Sequence, residues 1–420
     1  MLGRPAMTTS ATPDPDRFGL MDPAARVDPY PAYARMRREA PVYFSEGHDA
    51  WLLTRHDDVL AAFRDPRLSA NRAGAFAKRL PPATLELVRP LVQNLASWAL
   101  LIDPPDHTRV RALLNKAFTP RLIEGLRPRI EALVERLLDA AEAAGTGRMD
   151  AIADLATPLP VIVIGDMLGV PREDAHRLKE WSDAIAAFMG GRPSLSVAAP
   201  AVRSIVEMEH YFRAAIAERR RAPTSDLLSS MIEAEEQGTI LSEQELLSTC
   251  VMVLFGGHET TTNLIGNGLL ALLDHPTEWS ALRASPALVE GAVEELLRYD
   301  SPVQRMGRIA LEDLEIRGVT LRKGDRLFLM LGAANRDPAV FADPDRLDLH
   351  RAHVRHLSFG MGAHYCVGAA LGRLEAQLAL SALARRFPRV ARAEGELTWI
   401  DNATVRGVKS IPLVLDPARS

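Results

Sequence analysis

The sequence predicts a mainly α-helical fold with a minor β-rich region, an α+β arrangement held in one large domain. Three observations predict it. Helical apolar periodicity runs through long stretches near residues 109–145, 203–221 and 242–275. Strand-like runs are confined to 41–54, 308–331 and 411–415. No internal repeat or low-complexity linker divides the 420 residues, although length alone would allow two or three domains. The expected organisation is a flexible segment over 1–20 followed by a single domain over 21–420.

Composition narrows the function classes. A net charge of −4 argues against a nucleic-acid-binding surface. Only two cysteines, Cys250 and Cys366, exclude a disulfide framework and fit a reducing cytoplasm. Residues 1–17 lack the apolar stretch of a secretory signal. No apolar run approaches the roughly 18 residues of a membrane span. The expectation is a soluble, cytoplasmic protein.

In chain order, Pro31 to Glu39 reads as an early helix. Pro41–Phe44 and Trp51–Thr54 follow as strands around the turn-like Ser45-Glu46-Gly47-His48. The helical region 109–145 is broken at Thr119-Pro120. A helix from about Arg203 ends in Arg219-Arg220-Arg221; cations suit a last helical turn, so this cluster reads as a solvated helix end. Ser242 and Glu245 have capping-box spacing. The apolar run beyond them stops at His275-Pro276, giving a helix of about 30 residues and roughly 45 Å. From Cys250 to Phe255 it is apolar all round, so it should cross the interior. Strands return between Arg308 and Leu331, with Arg317-Gly318 and Lys323-Gly324-Asp325 as turns, and Ile411 to Leu415 reads as a last strand.

Chemistry concentrates in two places. Phe359-Gly360-Met361-Gly362-Ala363-His364-Tyr365-Cys366-Val367-Gly368 sets one cysteine among glycines, just ahead of a helix-like run from Ala369. Glycine lets a backbone turn sharply or lie against a flat ligand. A helix starting beyond the cysteine aims N–H groups at the sulfur and favours thiolate over thiol. A lone cysteine without such neighbours is usually a small buried hydrophobe. The second place is the middle of the long helix, Gly256-Gly257-His258-Glu259-Thr260-Thr261-Thr262. Interior glycines cost about 1 kcal/mol each, and a mid-core carboxylate must be paired or neutralised. Either the helix kinks around a satisfied Glu259, or the cost serves function. Two further spacings are weak alone. Glu295-Leu296-Leu297-Arg298 puts opposite charges on one helix face. His107 and Arg111, at i,i+4, form either a solvated basic first turn or an anion site.

The Phe-Gly-x-Gly-x-His-x-Cys-x-Gly loop closely resembles the haem-ligand loop of the cytochrome P-450 superfamily, and the other motifs follow in that family's order from about Asp28 to the last strand. The resemblance implies a fold in which the long helix crosses over a haem. It implies Cys366 as axial thiolate ligand, pushing electron density onto the iron, with Phe359 beside the sulfur, Gly360 and Gly368 against the cofactor and His364 facing a propionate. Gly-Gly-His-Glu-Thr-Thr resembles the distal-helix motif, which makes Glu259 the acid that relays protons and Thr260 the hydroxyl that hydrogen-bonds bound dioxygen. His258 is then structural or outward-facing, and Thr261 and Thr262 are packing. Glu295 and Arg298 resemble the structural Glu-x-x-Arg signature, with Arg346 as the arginine partner. Flanked by Asp103-Pro104-Pro105 and Phe118-Thr119-Pro120, His107 and Arg111 resemble propionate ligands. Arg308 is a third and Arg305 a weaker competitor. Met361 departs from the pattern, standing where relatives often carry a basic or a small residue.

The activity implied is that of a bacterial-type haem-thiolate monooxygenase. Its cofactor is haem b (iron protoporphyrin IX), with electrons ultimately from NAD(P)H through a ferredoxin or flavodoxin and its reductase. One oxygen atom of dioxygen enters an unactivated C–H bond by hydroxylation, or a double bond by epoxidation. The substrate is an apolar small molecule such as a steroid, terpenoid, macrolide or fatty acid. The implied pocket takes in Asn71–Leu101, the region from Phe188 to Val206, Phe255, Gly256, Val303, Met306 and the turn at Thr404. Arg109, Lys116, Arg121, Arg355 and Arg373 form an expected basic footprint for an acidic redox partner. A monomer is expected. Alternatives on the same fold are a peroxide-dependent peroxygenase or isomerase, which could dispense with the Glu259–Thr260 pair, and a non-catalytic haem sensor.

Overall fold

The helix Glu243–Asp274 is the axis of the molecule in a computed structural model that describes residues 16–74, 82–190, 194–236 and 242–416. Its cap forms as the spacing requires: Ser242 Oγ accepts the Glu245 N–H at 3.3 Å, and the Glu245 carboxylate accepts the Ser242 N–H at 2.7 Å. Every residue from Leu246 to Leu254 and from Thr261 to Leu272 is buried. At about 1.5–3 kcal/mol per buried large apolar side chain, these two halves fix where the helix lies, and the polar middle is carried to the centre with them. Between the halves, all residues but His258 are less covered. The helices Pro158–Met167, Leu195–Arg221, Val289–Tyr299 and Ala369–Arg386 pack around this axis.

The β structure stands to one side. Strands β1 (Val42–Ser45), β2 (Ala50–Leu53), β3 (Leu68–Ser69), β5 (Arg305–Ala310) and β8 (Arg326–Met330) form a sheet in the order β1-β2-β8-β5-β3. Only β2 and β8 run parallel. A three-stranded sheet joins β4 (Arg148–Asp150), β10 (Pro412–Asp416) and β9 (Arg389–Arg392), and β6 (Leu314–Ile316) pairs with β7 (Val319–Leu321). The mainly α fold class with minor β is therefore observed.

Differences from the sequence reading have local causes. The stretch 109–145 resolves into Asp106–Ala117, Pro120–Gly125 and Arg127–Ala143, with the Thr119 side chain capping the second through the Leu122 N–H at 3.3 Å. The helix expected from Arg203 begins at Leu195 and runs through Pro200, because packing outweighs the bond proline forfeits. Strands β4 and β9 are short and rich in charge, so they carry no strand pattern and owe their form to pairing with β10. Of the expected flexible segment over 1–20, residues 1–15 lie outside the described residues, whereas Phe18 is buried, edge-on to Tyr43 at 5.0 Å.

Candidate active site

The cysteine loop is held by backbone geometry. Gly360 and Gly362 have φ of 68° and 70°, in the left-handed region that disfavours side chains. A Cβ on Gly362 would lie 3.2 Å from the Phe63 carbonyl oxygen. The Cys366 N–H donates to the Phe359 carbonyl at 2.9 Å, and the next helix starts at Ala369 with Gly368 as its cap. Phe359 packs beneath the Arg373 guanidinium at 4.5 Å. Cys366 lines an internal cavity and is exposed to it, within a loop set deep in the protein. Burial pushes the Cys366 thiol up, while the Gly368 N–H, Arg111 and Arg373 pull the other way. The helix start and the neighbouring cations thus act in the expected direction, towards the thiolate, but in the polypeptide alone burial outweighs them; a metal that deprotonates a coordinating thiol would reverse the balance.

Cations gather beside this loop. The His107 and His364 rings lie 4.2 Å apart. His107 Nε2 and Arg308 Nη2 are buried without a hydrogen-bond partner. Burial and the neighbouring His107 and Arg308 lower His364 to about 3, and burial lowers Arg308 to about 10. Arg111 is half-buried and donates to Asn115 at 2.9 Å. Arg72, which the motifs do not flag, joins them by donating to the Gly307 carbonyl at 2.6 Å; burial and then Arg308 pull it down to about 9.

Across the cavity lies the middle of the long helix. A Cβ on Gly256 would touch nothing within 4 Å, whereas one on Gly257 would sit 2.8 Å from Ile164. The first glycine thus opens onto the cavity and the second lets Pro158–Met167 approach. The helix stays continuous, and Thr260 Oγ1 donates to the Gly256 carbonyl at 3.2 Å. Burial, followed by the Asp183 carboxylate, raises Glu259 to about 7, with Lys179 opposing. Lys179 and Asp183 pair at 2.5 Å on the helix Ala175–Gly190, partly open to solvent. His258 is buried, with Nδ1 3.1 Å from the Leu254 carbonyl, so it does not face outward. Thr261 and Thr262 are both buried, and Thr262 bonds the Ala156 carbonyl at 2.9 Å.

One cavity of about 360 Å³ touches Cys366, Phe359, Gly360, His364, Gly368 and Arg111 on one side and Phe255, Gly256, Glu259 and Thr260 on the other, with Val303, Met306 and Thr404 completing the wall. Of the wider pocket segments, residues 75–81 and 191–193 lie outside the described residues. Beneath the cavity, Glu295 and Arg298 are fully buried and bonded at 2.7 and 2.8 Å. The arginine that completes this pair is Arg351, whose Nε reaches both Glu295 oxygens at 3.1 Å. The Arg346 side chain turns to Asp348 at 2.7 Å and contributes its carbonyl, which accepts from Arg298 and Arg351 at 3.1 Å.

The chemistry of this cavity fits a flat ligand with two carboxylates and a metal: one cysteine lines it, unhindered glycines border it, and buried His107 and Arg308 keep polar nitrogens unfilled beside it. A family model described as Cytochrome P-450 matches residues 70–285 and 279–397. The chain belongs to the cytochrome P-450 family. It is 38% identical to the polyketide biosynthesis cytochrome P-450 PksS of Bacillus subtilis, over 92% of this chain and 96% of that protein. It is 40% identical to the cytochrome P-450 monooxygenase PikC of Streptomyces venezuelae, over 96% of this chain and 95% of PikC. The solved structure of P-450BioI, in complex with hexadec-9Z-enoic acid ligated acyl carrier protein, superposes with a TM-score of 0.87 at 36% identity, covering 94% of this chain and all of that one. As a P-450, the protein is a haem-thiolate monooxygenase that uses dioxygen, a small-molecule substrate and electrons from NAD(P)H delivered by redox partners. No helix among the described residues of this P-450 is long and apolar enough to cross a membrane.

The P-450's expected basic footprint divides. Arg109 is tied to Glu245 at 3.0 Å and Arg373 to Glu294 at 2.6 Å. Lys116, Arg121 and Arg355 are exposed and form no ion pair among the described residues.

Proposed function

We propose that Cys366 supplies the thiolate of this monooxygenase and that Glu259 and Thr260 govern its proton supply. One observation carries the reading: the sulfur and the acid–alcohol pair line opposite sides of one cavity. The other cysteine, Cys250, is fully buried in the core. Haem, when bound, supplies the dioxygen chemistry; His107, Arg111, His364, Arg308 and Arg72 would hold its propionates, and Gly360 and Gly368 would let the backbone lie close to it. Glu259, half-protonated near pH 7, holds a proton at the cavity wall. Lys179 and Asp183 behind it reach solvent, from which that proton can be replaced. Thr260 Oγ1 is anchored on the Gly256 carbonyl and keeps its lone pairs for a proton in transit. Phe255, Val303 and Met306 exclude bulk water and orient an apolar substrate.

The substrate belongs with the steroids, terpenoids, macrolides and fatty acids, consistent with a polyketide-pathway relative and with the acyl chain in the BioI complex. The reading extends to a monomeric cytoplasmic catalyst with a single domain, reduced by a ferredoxin or flavodoxin. The test is the carbon monoxide difference spectrum of dithionite-reduced protein. A strongly red-shifted Soret band is expected. A band typical of histidine-ligated haem, in material with a full haem complement, would overturn the role of Cys366.

A further inference from the structure

Beside the active-site cavity lies a second one of about 400 Å³, bounded by the chain near Leu20 and Arg26, the β1–β2 turn, strands β5 and β8, and the loop from Trp399 to Gly407. The two cavities share Gly190, Arg305, Phe328, Asn402 and Val405 as walls, so Arg305 stands where they meet. Its guanidinium stacks 4.1 Å from the Phe328 ring centroid, and Arg326 approaches the same ring at 5.7 Å. Arg305 Nε is buried without a hydrogen-bond partner, and no carboxylate pairs with Arg305 among the described residues. The acids around it are engaged elsewhere: Asp49 lies 4.0 Å from Arg326, Asp401 3.0 Å from Arg26, and Asp300 2.8 Å from Arg406. Burial lowers Arg305 to about 10, with Tyr33 opposing and Arg326 adding to the fall. A propionate role does not account for this residue. Side chains alternate along a strand, so Arg305 leaves β5 on the face opposite to Arg308.

A buried cation with an unfilled donor is costly unless an anion completes it. We propose that Arg305 anchors the anionic end of the substrate, which makes the preferred substrate an amphiphile with one carboxylate and an apolar body. The inference rests on the oxygenase reading of the adjoining cavity. The carboxylate sits at the junction and accepts from Arg305, while the body passes Phe328 and Val405 towards Val303, Met306 and Phe255.

The test is calorimetric titration of the holoprotein at neutral pH with dodecanoate and with methyl dodecanoate, equal in apolar body and different in charge. Charge-assisted hydrogen bonds of this kind give about 10- to 100-fold tighter binding of the acid. Arg305→Gln is expected to erase that preference by weakening the acid alone, and Arg305→Lys to retain part of it. Equal wild-type affinities for acid and ester would overturn the proposal without any variant having to fold. So would an acid preference that survives in haem-replete Arg305→Gln. The carbon monoxide spectrum of the same preparation reads the oxygenase assignment separately: a red-shifted band without acid preference rejects the anchor alone.

Discussion

Below the cavity, the networks around Glu294 and Glu295 are saturated; above it and at its rim, polar groups are left open. Glu295 accepts from Arg298, Arg351 and the Asp348 N–H, and Arg298 also reaches the carbonyls of Asn335, Pro344 and Arg346. Glu294 is likewise held by Arg373 and by His356 at 3.2 Å. By contrast, Glu259 is raised to about 7 with no stabilising bond, and His107, Arg308 and Arg305 each keep a donor unfilled. The difference teaches where structure ends and turnover begins. Saturated networks specify a unique arrangement, whereas open groups wait for a cofactor, a proton or a substrate.

The sharpest way to break the comparison is to remove the one group on the saturated side that the chemistry itself needs. Cys366→Ala should abolish both the red-shifted carbon monoxide band and product formation; a surviving red-shifted band would mean another ligand. Glu295→Ala attacks the saturated network, leaving two arginines buried without their anion. Such a loss costs about 3–5 kcal/mol, and thermal unfolding should fall by a corresponding margin, with haem retention falling alongside. Arg351→Ala should reproduce part of this and Arg346→Ala very little, since the Arg346 side chain points to Asp348. Equal losses for the two arginine variants would refute the assigned pairing.

On the open side, Glu259→Gln should slow product formation about 100-fold, the scale of a lost general acid, while leaving thermal stability near wild type. Thr260→Ala should keep haem and substrate binding yet divert electrons to released hydrogen peroxide. The pH dependence has a definite sign. The Glu259 carboxyl is raised from its usual value to about 7, so the folded state keeps a proton that the unfolded chain releases above about 4.5. Its contribution to stability therefore falls as pH rises from about 4.5 to about 7 and is flat beyond. Product per electron should fall as Glu259 ionises, with a midpoint near 7. A midpoint that persists in Glu259→Gln would assign the titration to another group.

What the sequence made legible follows the same division. The cysteine loop could be read because its turns demand glycines at Gly360 and Gly362, a local need that leaves a local mark. The long helix could be read because its cap and apolar halves are also local. Arg351 could not. Both it and Arg346 follow Glu295 in a stretch without periodicity, and the path of the loop after Asp343, itself at φ 45°, decides which side chain turns inward. Lys179 and Asp183 read as an ordinary i,i+4 pair; that they act on Glu259 depends on packing between distant helices. The Cys366 thiol is legible only in part for the same reason. Its favourable neighbours are adjacent in sequence, but the burial that outweighs them is tertiary.

The smallest expected effect concerns the outer surface of the saturated side, where the comparison itself can be sharpened. Arg109 and Arg373 are consumed by Glu245 and Glu294, which makes them structural. Lys116, Arg121 and Arg355 are the exposed members of that footprint, and the helix carrying Arg121 packs on Ala369–Arg386 beyond the cysteine loop. Exposed charges steer an acidic partner through a field that salt screens within about 10 Å at 0.1 M. Replacing all three with glutamine should therefore raise the KM for a ferredoxin by about 10-fold at low ionic strength. The effect should fade as salt is added, with kcat and thermal stability unchanged. Arg373→Gln, in contrast, should lower stability and perturb the packing over Phe359 whatever the salt. If the triple variant were reduced normally by every ferredoxin and flavodoxin tried, these cations would be ordinary solvated charges, and the docking face would have to be sought elsewhere.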